Sequence, residues 1–251
     1  MRDEHGRLLF SVRLKKRDTH HIQVILRWLR LLGLQIKRFY VDFWLAYPPA
    51  IKAVYPDADI QYDFFHTMQN IHRHLYQALT AYRKAFKATP TPSAERALHQ
   101  ALHKQLWQHR YLLFTNDENL SAEQRQILDE LLLVHADTIV EQIVLFRQQL
   151  RTIFNESASY TLALDNLAVL LLDGWADLSP AFAKSLAFLH EHFANICTYL
   201  RIPAVQRFSL SECTIRSLRR IESIRQGFKT QRGRINHLKL LQWRTYLRPL
   251  S

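Results

Sequence analysis

Hydrophobic and polar residues near the N-terminus follow first a strand-like and then a helical spacing. Residues 8–14 form a short β-prone run. Apolar positions then recur at helical spacing from Ile22 to Leu32, with Asp18 or Thr19 as the predicted cap and Gly33 as the predicted end. The pattern therefore predicts a strand followed by a helix.

Two more β-prone runs follow, at residues 36–41 and 58–62, and Pro48-Pro49 opens a short helix between them. An aspartate follows each run, Asp42 after the first and Asp63 after the second. Strands that alternate with helices predict a largely parallel sheet, in which functional residues collect at the carboxyl ends of the strands. We therefore expect Asp42 and Asp63 at one edge of the sheet.

The pattern changes to long helical stretches from His66 onward, and no strand signal follows. We predict an α/β protein that is mostly helical, with a helical module spliced in after the third strand. The predicted breaks between its helices are residues 89–93, 116–119, 173–174 and Pro203.

Composition excludes several classes of protein. Hydrophobic residues make up 48% and charged residues 22%, so the chain should fold. No apolar stretch reaches the ~18 residues of a membrane span, and the N-terminus lacks a signal core, so we expect a cytoplasmic protein without membrane contact. Cys197 and Cys213 are expected to be reduced thiols. None of the five glycines forms a phosphate-binding loop, which disfavours nucleotide-binding enzymes.

Positive charge is concentrated at the C-terminus. The formal net charge is +12, and residues 201–251 hold twelve Arg/Lys against Glu212 and Glu222, a net +10. A polyanion is the natural partner, because cations that displace counterions from phosphates give sequence-independent nucleic-acid affinity. A solvated basic tail is the structural alternative. The candidate DNA-binding residues are Arg216, Arg219, Arg220, Arg225, Lys229 and Arg232.

Two segments carry motifs that combine acidic residues with a fixed local pattern. In residues 39–66 a strand ends in an aspartate, an aromatic-rich helix follows, and the next strand ends in Asp63-Phe-Phe-His66. In residues 211–233 a glutamate, Glu212, begins the basic stretch Cys-Thr-Ile-Arg-Ser-Leu-Arg-Arg, and a Gly-Phe pair follows about fifteen residues later. In this order, the two segments resemble bacterial insertion-sequence transposases of the DDE type.

The resemblance implies a metal site. In such enzymes three carboxylates hold two magnesium (or manganese) ions for in-line displacement at a DNA phosphodiester. Asp42 and Glu212 match two of these catalytic positions, and Asp63 is a third metal-ligand candidate or a structural residue. The structural alternatives are a strand-end turn or helix cap for Asp42 and a surface partner of arginines for Glu212.

The resemblance also implies a fold and a partner. Residues 1–66 and 201–251 would form a partial ribonuclease H-like domain of about three strands, with residues 67–200 as an all-helical insertion. Asp42 would close a strand, and Glu212 would lie on a helix packed behind it. The expected partner is double-stranded DNA at the element ends, and a homodimer is compatible with the pattern.

One departure from the family affects activity. The first catalytic aspartate belongs on a strand upstream of the hairpin, and this chain starts after that point; Asp3 is the remaining candidate. We therefore expect a truncated or decayed transposase that is inactive as given. The alternatives are a non-catalytic, basic helical nucleic-acid-binding protein and a protein interaction scaffold.

Histidines and tryptophans carry weaker signals. The pairs His72/His74 and His99/His103 lack an evident third ligand, so we expect solvated surface histidines rather than a zinc site. The tryptophans are expected in the core, apart from Trp243 in the basic C-terminal segment, which could stack on bases.

Overall fold

The computed structural model describes residues 18–202, together with Lys16, Gly233 and Asn236. The described chain divides into two compact units between Phe64 and Phe65. Within residues 18–64 the first unit contains two helices and two strands, and the described part of the second unit is helical. The elements of the first unit are α1 (Thr19–Leu31), β1 (Arg38–Val41), α2 (Tyr47–Val54) and β2 (Asp59–Tyr62).

Helix α1 begins and ends at the predicted residues. The Asp18 carboxylate caps it by accepting a hydrogen bond from the His21 backbone N–H at 2.9 Å. Gly33, just after the helix, has a φ of +82°, which a residue with a Cβ adopts only under strain. The buried face of α1 packs against α2. Its buried residues are Ile22, Leu26 and Leu29, and those of α2 are Ala50, Ile51 and Val54.

The two strands pair in parallel, as their alternation with helices predicted. Arg38 lies opposite Asp59 and Val41 opposite Tyr62. A parallel pair cannot be joined by a tight turn, so the chain crosses over through α2. The first β-prone run, residues 8–14, lies outside the described residues.

Three side chains fasten this crossover to backbone carbonyls. Lys52 Nζ donates to the carbonyl oxygens of Pro56 (3.0 Å) and Ala58 (2.9 Å), which ties α2 to the segment that leads into β2. Tyr55 Oη donates to Leu34 O at 3.0 Å. An Arg30 guanidinium nitrogen donates at 2.5 Å to the carbonyl oxygen of Val54, the last residue of α2. These bonds fix where β2 begins relative to β1.

The second unit is formed by eight helices, with short 3₁₀ segments at Arg110–Phe114 and Asp117–Asn119 and a π-turn at Thr152–Glu156 among the described residues. No strand follows Tyr62 within residues 63–202, in agreement with the prediction of a mostly helical chain. The helices are α3 (Phe64–Ala88), α4 (Arg96–His109), α5 (Ala122–Val134), α6 (Ile139–Arg151), α7 (Tyr160–Leu172), α8 (Trp175–Leu178), α9 (Pro180–Ile196) and α10 (Thr198–Arg201).

Three predicted breaks between the helices are confirmed, and the fourth, at Pro203, lies outside the described residues. Several observed breaks were not predicted, among them those at Ser179 and Cys197, one between α5 and α6 and one after α6. Helix α3 ends before residues 89–93, a 3₁₀ turn occupies 117–119, and Gly174 separates α7 from α8. The unpredicted break between α5 and α6 passes through Asp137, whose φ of 57° is left-handed. The other is the π-turn after α6, which carries no Gly or Pro to announce it.

An aromatic cluster lies in the core of the second unit. Phe146 of α6, Trp175 of α8 and Phe182 of α9 contact one another, with ring centroids 5.0 to 5.5 Å apart. Phe146 and Phe182 are fully buried. Such contacts between helices far apart in sequence hold the unit together. In the described part of the chain, no helix is long and apolar enough to span a membrane.

Candidate active site at the strand ends

Asp42 and Asp63 lie side by side, at the carboxyl ends of the two parallel strands. Each follows a strand directly, and the preceding residues, Val41 and Tyr62, are register partners. The Asp63 backbone N–H donates to Val41 O at 2.9 Å, so the ladder extends to the aspartates themselves. Because neighbouring strands are about 4.8 Å apart, this register places both carboxylates at one edge.

Asp42 is half-buried and forms a local turn. Its Oδ1 accepts a hydrogen bond from the Trp44 backbone N–H at 3.3 Å, a side-chain bond to the backbone two residues on. The strand-end turn considered as an alternative role is therefore present. It does not compete with metal binding for the whole group, because a carboxylate has two oxygens that accept several bonds.

Asp63 is more enclosed than Asp42. Its exposure is 5%, and its neighbours Gln61 and Phe64 are buried as well. Gln61 Nε2 donates to Tyr62 O at 2.7 Å, and the Tyr62 ring packs against Phe43 with centroids 4.2 Å apart. The edge thus presents one half-exposed carboxylate beside one buried carboxylate, in an aromatic surrounding.

A comparison with known protein families finds one match. Residues 2–232 match the family model DDE_Tnp_ISL3, which is described as a transposase. The chain belongs to this transposase family. No curated protein and no solved structure matches the chain. The match contains Asp42, Asp63 and Glu212, and members of the family bind DNA and generally use divalent metal ions.

The remaining predicted site residues of this transposase lie outside the described residues. They are Glu212, Arg216, Arg219, Arg220, Arg225, Lys229 and Arg232. The structure therefore brings together Asp42 and Asp63, and the convergence of Glu212 with them stays a prediction. Within residues 18–202, no three His, Cys, Asp or Glu side chains form a metal-binding group.

The prediction of solvated surface histidines was only partly correct. His72, His74, His99 and His103 are all half-buried in the second unit. Burial, followed by the nearby Arg147 charge, lowers the pKa of His72 to about 4. Its ring packs edge-on against Phe114, and its buried Nε2 has no hydrogen-bond partner among the described groups. These rings fill space between helices, which helical spacing alone does not reveal.

The expectation for the tryptophans was only partly correct. Trp175 is buried in the core, whereas Trp28 and Trp44 are 47% and 45% exposed. Trp107 is half-buried, and Trp243 lies outside the described residues. Trp44 follows Asp42 by two residues, so an exposed aromatic ring accompanies the candidate site in sequence.

Sequence reasoning did not single out the side chains that position this edge. Lys52 and Tyr55 fix the crossover into β2 and therefore the place of Asp63 relative to Asp42. A signal was present for Lys52, since a cation in the last turn of a helix favours contact with free carbonyl oxygens. No comparable signal marks Tyr55, because its acceptor, Leu34 O, lies 21 residues away.

Proposed function

We propose that this transposase binds the double-stranded DNA ends of an insertion element and that Asp42 and Glu212 belong to a site of the kind used for metal-dependent phosphodiester chemistry, a site that is inactive in the chain as given. The observation that carries the proposal is the position of Asp42, half-exposed at the end of β1 and beside Asp63, in a chain matched to a transposase family over residues 2–232. The carboxyl ends of parallel strands are a frequent location for catalytic groups.

The residues fit a magnesium or manganese ion. These ions prefer carboxylate oxygens, and Asp42 offers such a group on a strand end held by a hydrogen-bonded ladder. When bound, a pair of such ions activates the attacking oxygen and stabilises the leaving oxygen of an in-line displacement. Asp42 and Glu212 would hold the ions, and the burial of Asp63 favours a role in orienting the edge over direct contact with substrate.

We also propose the domain arrangement that accompanies this site. Residues 1–66 and 201–251 form a ribonuclease H-like domain, and residues 67–200 form an insertion in it. Support comes from the parallel β1–α2–β2 crossover in the first unit and from the all-helical character of residues 65–202. In this arrangement the glutamate-bearing segment returns to the sheet after the insertion.

Localised cleavage by iron tests whether Asp42 and Glu212 share a metal site. Fe²⁺ that replaces Mg²⁺ generates hydroxyl radicals with ascorbate and peroxide, and these cut the backbone near the ion. We expect cuts close to residue 42 and close to residue 212, and we expect added Mg²⁺ to suppress both. Mapping the fragments by mass spectrometry measures the result. The two carboxylates should lie within roughly 4 to 8 Å of each other, as two-metal chemistry requires.

Variants make this test specific. Asp42→Asn and Glu212→Gln should each abolish both cuts, because each removes a shared ligand. Asp57→Asn is the matched control, since Asp57 is an exposed aspartate in the same crossover, and it should leave the cuts unchanged. Cutting near residue 42 alone would remove Glu212 from the site, and no cutting would contradict the metal site.

Strand transfer by the 251-residue chain is expected to be undetectable. Only two carboxylates, Asp42 and Glu212, match the three positions of the transposase motif, so one carboxylate fewer would be available to hold a pair of metal ions. The assay incubates the purified chain with Mg²⁺ or Mn²⁺ and DNA bearing the element ends, and resolves products on a denaturing gel. Joined products that disappear on Asp3→Ala would contradict the prediction and make Asp3 the third carboxylate.

A further inference from the structure

Charge is unevenly distributed within the helical unit. Residues 65–110, which include most of α3 and all of α4, contain seven Arg/Lys and one acid, Glu95, for a net charge of +6. Residues 111–202 contain five Arg/Lys and twelve acids, for a net charge of −7. The net positive charge within this unit thus comes from one pair of consecutive helices, which are separate in sequence from the basic C-terminal segment.

The basic residues of α3 form a stripe. At 3.6 residues per turn, Arg73, Arg83, Lys84 and Lys87 fall within an arc of about 100° around the helix. Three of them are exposed and Arg83 is half-buried. The fully buried apolar residues Ile71, Leu75 and Leu79 lie outside this arc. The stripe therefore borders the buried face at Arg83 and is exposed at its other three cations.

Helix α4 carries a matching stripe. Arg96, Lys104 and Trp107 fall within about 80° of one another on the helix, and the fully buried Leu106 lies outside this arc. Arg96 and Lys104 are exposed.

A stacked tryptophan joins the two stripes. The guanidinium carbons of Arg83 and Arg110 lie 3.9 and 4.2 Å from the centroid of the Trp107 ring. Arg110 Nε also donates to Tyr76 Oη of α3 at 3.3 Å, and Arg110 bonds the Trp107 carbonyl oxygen. Stacking on an aromatic ring fixes the plane of a guanidinium group, so its remaining donors are already oriented for an anion.

A histidine next to this stack accepts a hydrogen bond from one of its arginines. Arg83 Nε donates to His103 Nε2 at 3.1 Å, which requires that nitrogen to be unprotonated. Burial, followed by the charges of Arg83 and Lys87, lowers the pKa of His103. Within residues 18–202, no carboxylate forms an ion pair with Arg83, Lys87 or Arg110. The positive charge of these three side chains is therefore not neutralised by a carboxylate within residues 18–202.

We propose that this surface, the α3–α4 basic face, binds the phosphate backbone of duplex DNA. It comprises Arg73, Arg83, Lys84, Lys87, Arg96, Lys104 and Arg110. The inference rests on the proposed function, because it takes DNA as the substrate, but it assigns a second contact surface separate from the C-terminal segment. Cations on two adjacent helices, with arginines held by stacking, suit sequence-independent phosphate contacts that position a duplex.

A charge-matched comparison in the full chain tests the proposal. The variant Lys84→Ala/Lys87→Ala/Lys104→Ala removes three exposed cations and leaves the Trp107 stack intact. Its control, Arg27→Ala/Arg125→Ala/Lys184→Ala, removes three exposed cations elsewhere and changes the net charge equally. Fluorescence anisotropy with a labelled 30-base-pair duplex measures affinity from 50 to 300 mM salt. We expect the face variant to bind the duplex about 10-fold or more weakly at 100 mM salt. The slope of log affinity against log salt should fall in magnitude by about 3, since each phosphate contact contributes ~0.9 to that slope.

The outcomes separate this inference from the proposed function. Equal effects in both triple variants, or no effect in the face variant, would overturn the α3–α4 basic face as a contact. If Arg216→Ala/Arg219→Ala/Arg220→Ala weakens binding and the face variant does not, the proposed DNA function stands and this surface does not take part. A face variant that changes self-association in sedimentation, with DNA binding intact, would assign the surface to the acidic residues of a second copy. A wild-type chain that does not bind the duplex overturns both.

Discussion

Duplex DNA is expected to bind this transposase about 10³- to 10⁵-fold more weakly at 200 mM salt than at 50 mM salt. The loss corresponds to six to ten phosphate contacts, and each contact releases a condensed counterion. The net charge of +10 in residues 201–251 and of +6 in residues 65–110 can supply that number. Equilibrium titration of a labelled duplex over this range measures the slope of log affinity against log salt.

One triple variant measures how much of this salt dependence comes from the C-terminal segment. Arg216→Ala/Arg219→Ala/Arg220→Ala should lower the slope by about 3 and reduce affinity at every salt concentration, because three phosphate contacts are removed. The control is the triple substitution of Arg27, Arg125 and Lys184, which removes the same charge. Unchanged binding by the C-terminal variant would exclude these arginines from the interface.

Acid is expected to destabilise the folded chain by about 3 kcal/mol through His72 alone. The folded pKa is about 4, lowered from 6.5 by burial and by the Arg147 charge, and one pKa unit is worth about 1.4 kcal/mol. Between pH 6.5 and pH 4 the unfolded chain binds a proton at this residue and the folded chain does not. The free energy of unfolding therefore falls as the pH falls through this window, and the contribution is complete near pH 4.

Chemical denaturation at pH 7 and at pH 4.5, followed by circular dichroism, measures this loss. His72→Phe removes the titrating group and keeps an aromatic ring against Phe114, so this variant should lose less stability on acidification than the wild type. His72→Gln serves if the phenylalanine does not pack. His190→Gln is the control, because His190 is exposed on the same unit, and it should keep the full acid effect.

The comparison between each variant and the wild type is needed because other groups respond to acid in the same direction. Burial also lowers the pKa of His135, whose Nδ1 is hydrogen-bonded to Tyr82 Oη at 3.0 Å. That contribution is common to wild type and variants, so it cancels in the difference. Equal acid sensitivity in His72→Phe and the wild type would contradict the assignment to His72.

Local rules explain why the first unit could be predicted closely. Asp18 caps α1, Gly33 ends it and Pro48-Pro49 opens α2, and each acts through its own backbone or its immediate neighbours. Alternation of strands and helices then implied parallel pairing, which placed Asp42 and Asp63 at one edge. No contact between distant residues was needed for that inference.

Packing explains what could not be predicted. His72 and Trp107 lie at helical spacings that suit a surface or a core equally, and their surroundings come from residues far away in sequence. Phe114 and Arg147 enclose the histidine, and Arg83 and Arg110 stack on the tryptophan. A pattern along one helix contains no information about which side chains of other helices will meet it.

The sequence by itself determined the order of the elements, the parallel strands and the resemblance to transposases, because caps, turns, periodicity and motifs act over a few residues. Only the tertiary structure decided that Asp63 is enclosed while Asp42 is half-exposed, and that the cations of α3 and α4 meet around Trp107. Burial and side-chain stacking depend on how distant segments pack, and that packing sets the solvation and the charge around each group.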